Sequence, residues 1–258
     1  MSRYIKSELY RLLHVKGTYL FVIINTLLLI SSSILLASIK LSDSKFPYAN
    51  TAFSFSMVVT SMIMVLFLCI VVSNNVFSNE YNNHTMKNSI SFGMTRGTLY
   101  FGKLIVQVIY ALIAFVIIIG VHIITAYLLL DNSDISNLKL LINVCIICLP
   151  LFLFSIGLTN CFAFFFEGTG ATIGSTVGIM LALPLMSNLL AMKFEIFKKF
   201  AEILPYNMIQ AIHFDFKTNT FTTLWGADSY RNFWIIGLVE MLVFVIIGYI
   251  AFRKREVK

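Results

Sequence analysis

Charge is the scarcest commodity in this 258-residue sequence: only 12% of residues are Asp, Glu, Lys or Arg, while 59% are hydrophobic. Soluble domains carry roughly 25% charged residues, so a shortage of this size excludes an ordinary soluble fold and places the chain among membrane proteins. Cysteine is scarce as well. Four residues, Cys69, Cys145, Cys148 and Cys161, all lie in apolar runs. They are too few for the disulfide framework of small secreted proteins. The C-x-x-C pair at Cys145 and Cys148 has no second pair and no nearby histidine, so all four read as buried structural thiols. No metal site is expected.

Catalytic groupings are lacking too. His14, His84, His122 and His213 fall on four separate segments, and there is no H-E-x-x-H, nucleophile elbow or clustered acid pair. Gly97, Gly102 and Lys103 have the spacing of a phosphate-binding loop, but Leu104 stands where Ser or Thr would hold magnesium. A polar segment, not a buried strand, precedes it. The chain therefore reads as no enzyme, with no ATP site or cofactor of its own. Repeats, low-complexity stretches and a second soluble domain are also missing.

What is present is apolar sequence in long runs. A helix needs about 20 mostly apolar residues to cross a bilayer. Six stretches qualify, near Thr18–Ile39, Phe53–Phe77, Leu104–Leu130, Leu140–Phe166, Ala171–Met192 and Phe233–Phe252. The expected fold is all-α, one polytopic transmembrane domain over residues 1–258 with six spans. Before the first run, Ile5, Leu9, Leu12 and Leu13 share one helical face against Arg3, Lys6 and Arg11. That pattern predicts an interfacial amphipathic helix over 2–16, lying on membrane lipid; the run after it is too long for a signal peptide.

The net charge of +7 does not point to nucleic acid. Lys and Arg number eleven in 1–17, 78–103 and 253–258, and three in the short loops at Lys40–Asn50 and Asp131–Lys139. The positive-inside rule then puts both termini and the 78–103 segment on the cytoplasmic side of a cell membrane. Residues 193–232 form a long outer segment. Phe194, Phe197, Phe200, Ala201 and Leu204 predict a short amphipathic helix there, ended by Pro205. An apolar piece follows with Met208, Ile209 and Ile212, and Tyr230, Phe233 and Trp234 mark the interface where the last span begins.

Inside the spans, Glu240 is the only acid well within an apolar run. Such a charge costs about 2.5–3.5 kcal/mol at mid-membrane on insertion scales. It reads either as a substrate or proton site or as a protonated or paired packing residue, with His122 its candidate partner. Gln107 and Asn160 are candidates for the same pathway, although polar residues such as Asn25, Asn143, Thr159 and Asn188 more often bridge helices. Gly170, Gly174 and Gly178 recur every four residues and predict close helix packing, within one subunit or between two halves. Pro150 and Pro184 are expected to kink the fourth and fifth spans.

The segment 80–103 is the polar island between the second and third runs. Glu80 is followed by Thr85-x-Lys87-Asn88, then Gly93-x-x-Arg96, then Tyr100-x-x-Lys103. Residues 86–92 are long enough for two helical turns, with Thr85 as cap and Gly93 as a left-handed stop, and Thr95 can cap the next helix. Lys87 and Arg96 are cations for an acidic partner or lipid phosphate. Lys103 reads simply as obeying the positive-inside bias.

With its interfacial helix (Ser7-Glu8-Leu9-Tyr10-Arg11), six spans and this acidic, T-x-K, glycine-then-arginine series, the whole chain resembles the permease subunit of type 2 ABC exporters. It is similar to small Gram-positive permeases of peptide-antibiotic, or lantibiotic, immunity and efflux. The resemblance implies that Glu80, Thr85, Lys87, Asn88, Gly93 and Arg96 form a coupling region docked on a separate ATP-binding subunit, which carries the ATP and magnesium. It also implies a second permease subunit, identical or related, and export of an apolar or amphipathic substrate. The competing reading is a proton-coupled secondary transporter that uses Glu240 and His122. Such proteins often have related internal halves, and none are visible here.

Overall fold

The computed structural model describes residues 1–43, 45–83, 90–91, 93–166, 168–215, 220–222 and 229–254. It is built almost wholly from helices: α1 (Ser2–Leu13), α2 (Lys16–Ser42), α3 (Thr51–Thr60), α4 (Met62–Asn83), α5 (Arg96–Leu129), α6 (Ile135–Phe165), α7 (Thr169–Ala191), α8 (Glu195–Glu202), α9 (Pro205–Gln210) and α10 (Ser229–Lys254). Between α9 and α10 lies a two-stranded antiparallel hairpin, β1 (His213–Asp215) and β2 (Thr220–Thr222), in which Phe214 pairs with Phe221. An all-α reading did not foresee it; three-residue strands are too short to leave a period-2 pattern in sequence.

Five helices, α2, α5, α6, α7 and α10, are long and apolar enough to cross a membrane. The remaining apolar run is divided. Helices α3 and α4 meet at Ser61 with a bend of 60°. Its chemistry is local: Thr60 Oγ1 donates to the Met57 carbonyl at 3.0 Å and Ser61 Oγ to the Val58 carbonyl at 3.0 Å. Hydroxyls that bond back to the preceding turn compete with the helical ladder and bend it. Proline is not the cause. Pro150 and Pro184 sit inside the uninterrupted helices α6 and α7.

Helix α6 is the pillar of the fold, with 72% of its most apolar window buried, against 6% for α2. It packs against α3, α4, α5, α7 and α10. Contact with α10 is closest because of two glycines. A Cβ on Gly237 would lie 2.8 Å from the Pro150 carbonyl carbon, and one on Gly248 would lie 2.9 Å from Cys161 Cα. No other residue permits that approach. Ser155 Oγ donates to the Leu66 carbonyl at 2.6 Å and ties α6 to α4.

At the end of the bundle away from residues 93–103, Lys40 pairs with Asp131 and Thr51 Oγ1 bonds Ser133 Oγ. The amide of Thr51 donates to the Asp131 carbonyl at 3.0 Å, joining the loops before α3 and after α5. The predicted amphipathic helix of the long segment is α8. Pro205 starts α9 at its first turn, where its missing N–H is harmless. Met208, Ile209 and Ile212 are buried in the core, so this piece packs onto the bundle.

Candidate functional site

Thr85, Lys87 and Asn88 lie outside the described residues, and Glu80 is in the last turn of α4 with its side chain outside them. The rest of the island is defined. Ile90 and Ser91 are helical, and Gly93 has φ +85° with its amide bonded to the Ile90 carbonyl at 3.0 Å. Thr95 Oγ1 accepts the Thr98 amide at 3.2 Å and caps α5. The left-handed stop and the cap are therefore where the sequence placed them.

Arg96 does more than present a surface cation. Its Nη1 donates to the carbonyls of Phe252 and Arg253, each at 2.8 Å, and its guanidinium lies 5.7 Å from the centre of the Phe252 ring. Those carbonyls are in the last turn of α10, where a cation satisfies orphan acceptors and opposes the helix dipole. One arginine thus clasps the start of α5 to the end of α10.

Lys103 corrects the sequence reading. It is 0% exposed, not a surface charge of the positive-inside kind. Its Nζ donates to Glu8 Oε2 at 3.2 Å and lies 5.0 Å from the centre of the Phe77 ring. Arg11 Nη2 donates to the same Glu8 oxygen at 2.6 Å and to the Val76 carbonyl at 3.0 Å. A buried carboxylate shared by two cations locks α1 onto α4 and α5. Gly102 makes the approach possible, since a Cβ there would sit 2.5 Å from Tyr4 Cδ1 of α1. The sequence held a signal for this, an acid on the apolar side of an amphipathic helix, but its partner is 95 residues away.

The pathway candidates separate. Gln107 Nε2 donates to Asn160 Oδ1 at 2.7 Å, both fully buried, as a bridge between α5 and α6. Asn188 and Asn207 bond each other and bridge α7 to α9. His122 Nε2 lies 3.4 Å from Ser54 Oγ, with the ring edge-on to Phe55, so it faces α3. Glu240 sits elsewhere, in a pocket of about 180 Å³ walled by α4, α6, α7, α8, α9 and α10, with no residue of α5 in its lining. The structure does not bring His122 and Glu240 into one relay. Glu240 Oε2 is buried with no hydrogen-bond partner. Gly170, Gly174 and Gly178 are also corrected as packing residues within this chain: a Cβ built at each meets nothing within 4 Å among the described residues. The four cysteines are all free and buried.

The bundle thus has two features available for function: an end where α1, α5 and α10 are fastened together beside the 80–103 island, and a carboxyl-bearing apolar pocket. No curated protein matches the chain. The family model described as ABC-2 family transporter protein matches residues 4–183, from α1 into α7. That is more than two thirds of the 258 residues, and with the apolar helices it makes this chain a multi-pass membrane component of transport, a member of the ABC-2 family of transporter proteins.

Proposed function

We propose that the chain is the permease subunit of an ABC exporter, moving an apolar or amphipathic substrate of the peptide-antibiotic kind. A separate ATP-binding subunit, carrying the ATP and magnesium, docks on the 80–103 island. The bent pair α3–α4 counts as one span, giving six, and both termini lie on the cytoplasmic face with the island. Two permease subunits, identical or related, flank the pathway.

The observation that carries this reading is the Arg96 clasp. The left-handed stop at Gly93 leads within three residues into α5 and, through Arg96, onto the last carbonyls of α10. A push delivered at the island therefore reaches two spans together. In the cycle, closure of the ATP-binding subunits displaces the islands, α5 and α10 tilt against α6, and the pathway opens outward.

Site-directed cross-linking in membranes of the native host tests both docking and orientation. Lys87→Cys should attach to an ATP-binding subunit through a short thiol–amine reagent, and Lys198→Cys, on α8, should not. Attachment at 198 and not at 87 would reverse the topology and remove the proposed docking site.

A further inference from the structure

The Glu240 pocket combines three features. Its walls are mostly apolar, and a third of the lining residues are aromatic: Phe154, Phe200, Tyr206 and Phe244. A buried carboxyl oxygen of Glu240 has no hydrogen-bond partner. No Lys, Arg or His lines the pocket among the described residues. Pro184 and Met180 also line it, and a proline has no N–H for the carbonyl four residues before it. The pocket thus supplies two acceptors, a carboxyl and a helix carbonyl freed of its usual donor, and the Tyr206 hydroxyl, which accepts from Gln210 Nε2 at 3.0 Å, is the one side-chain donor among its described lining residues.

A buried acid without a partner is unfavourable, and aromatic faces attract cations. We propose that this pocket binds an apolar body carrying a single ammonium group, with the ammonium on Glu240 and the body against Phe154, Phe200 and Phe244. At about 180 Å³ it suits one aromatic or short aliphatic unit, such as a hydrophobic amine or one cationic side chain of an amphipathic peptide. The larger cleft of about 220 Å³ between α2, α4, α5 and α6 lacks any charged lining residue, and its Asn25 amide already donates to the Phe21 carbonyl at 2.8 Å. Of these two cavities, the Glu240 pocket is the one that selects for charge. That such a ligand is the cargo rests on the exporter reading, whereas the binding does not.

The test uses the full-length permease in lipid nanodiscs without any ATP-binding subunit. Dicyclohexylcarbodiimide, an apolar reagent that adds to carboxyl groups, is followed at Glu240 by mass spectrometry. N,N-dimethyl-4-phenylbutylamine and its uncharged isostere 5-methylhexylbenzene are the competitors, at matched membrane concentrations. A charge-assisted hydrogen bond makes the amine at least about tenfold more potent than the isostere in slowing the label. Equal potency, no protection by the amine, or no label at Glu240 would each overturn the assignment. Protection intact here together with no attachment of an ATP-binding subunit in the Lys87→Cys cross-linking would instead count against the exporter reading alone.

Discussion

Lys103 is the residue at which sequence and structure part most clearly. In sequence it is one more cation beside a span; in the fold it is wholly buried against Glu8, which Arg11 also bonds. Removing one member of a buried ion pair is usually worse than removing the charge altogether. Glu8→Gln takes away the carboxylate that both cations share and should lower stability by roughly 3–5 kcal/mol. Lys103→Met leaves the Arg11–Glu8 pair and fills the same volume, so it should be close to neutral. Thermal melting of the purified variants in detergent checks the order; equal damage from both would remove the shared-carboxylate account. Periodicity could identify the face of α1 but not a contact made across the fold. Local chemistry was more legible: Thr95 as a cap and Gly93 as a left-handed stop follow from neighbouring residues, and both are present.

At the scale of elements, apolar runs located the long helices because each run must satisfy its own backbone in lipid. They did not reveal the break at Ser61. Its cause is hydroxyl competition within one turn, and Ser and Thr also occur in the unbroken helices, so the residue types alone do not mark it. Nor did the glycine pattern disclose its use. A Cβ at any of the regular series Gly170, Gly174 and Gly178 would meet no other element within 4 Å among the described residues, whereas the isolated Gly237 and Gly248 lie in the close α6–α10 contact. Gly237→Leu should push α10 off Pro150 and cost about 1–3 kcal/mol or more from overpacking. Gly174→Ala should change the melting of the isolated subunit by no more than about 0.5 kcal/mol. Comparable destabilisation by the two would contradict the placement of α10 against α6.

For the whole molecule, the distribution of burial is the telling feature. A buried pillar, α6, is surrounded by helices that leave much of their apolar surface outward, α2 most of all. Such a surface suits lipid and, in the proposed assembly, a second permease. Motion is then constrained by fasteners: Glu8 and its two cations hold α1 to α4 and α5, and Arg96 holds α5 to α10. The family could be read from the order of parts along the chain. The pocket around Glu240 could not, because its walls come from six helices spread over 179 residue positions, Leu66 to Phe244. In the proposed assembly a separate ATP-binding subunit drives these helices through the 80–103 island. Co-purification of the tagged chain from gently solubilised native membranes tests it most directly, with wild type beside Thr85→Ala/Lys87→Glu. The account predicts that an ATP-binding subunit accompanies wild type and that its recovery falls by about tenfold or more in the variant, as loss of a docking charge pair requires. Wild type that is recovered folded and without such a subunit would contradict it.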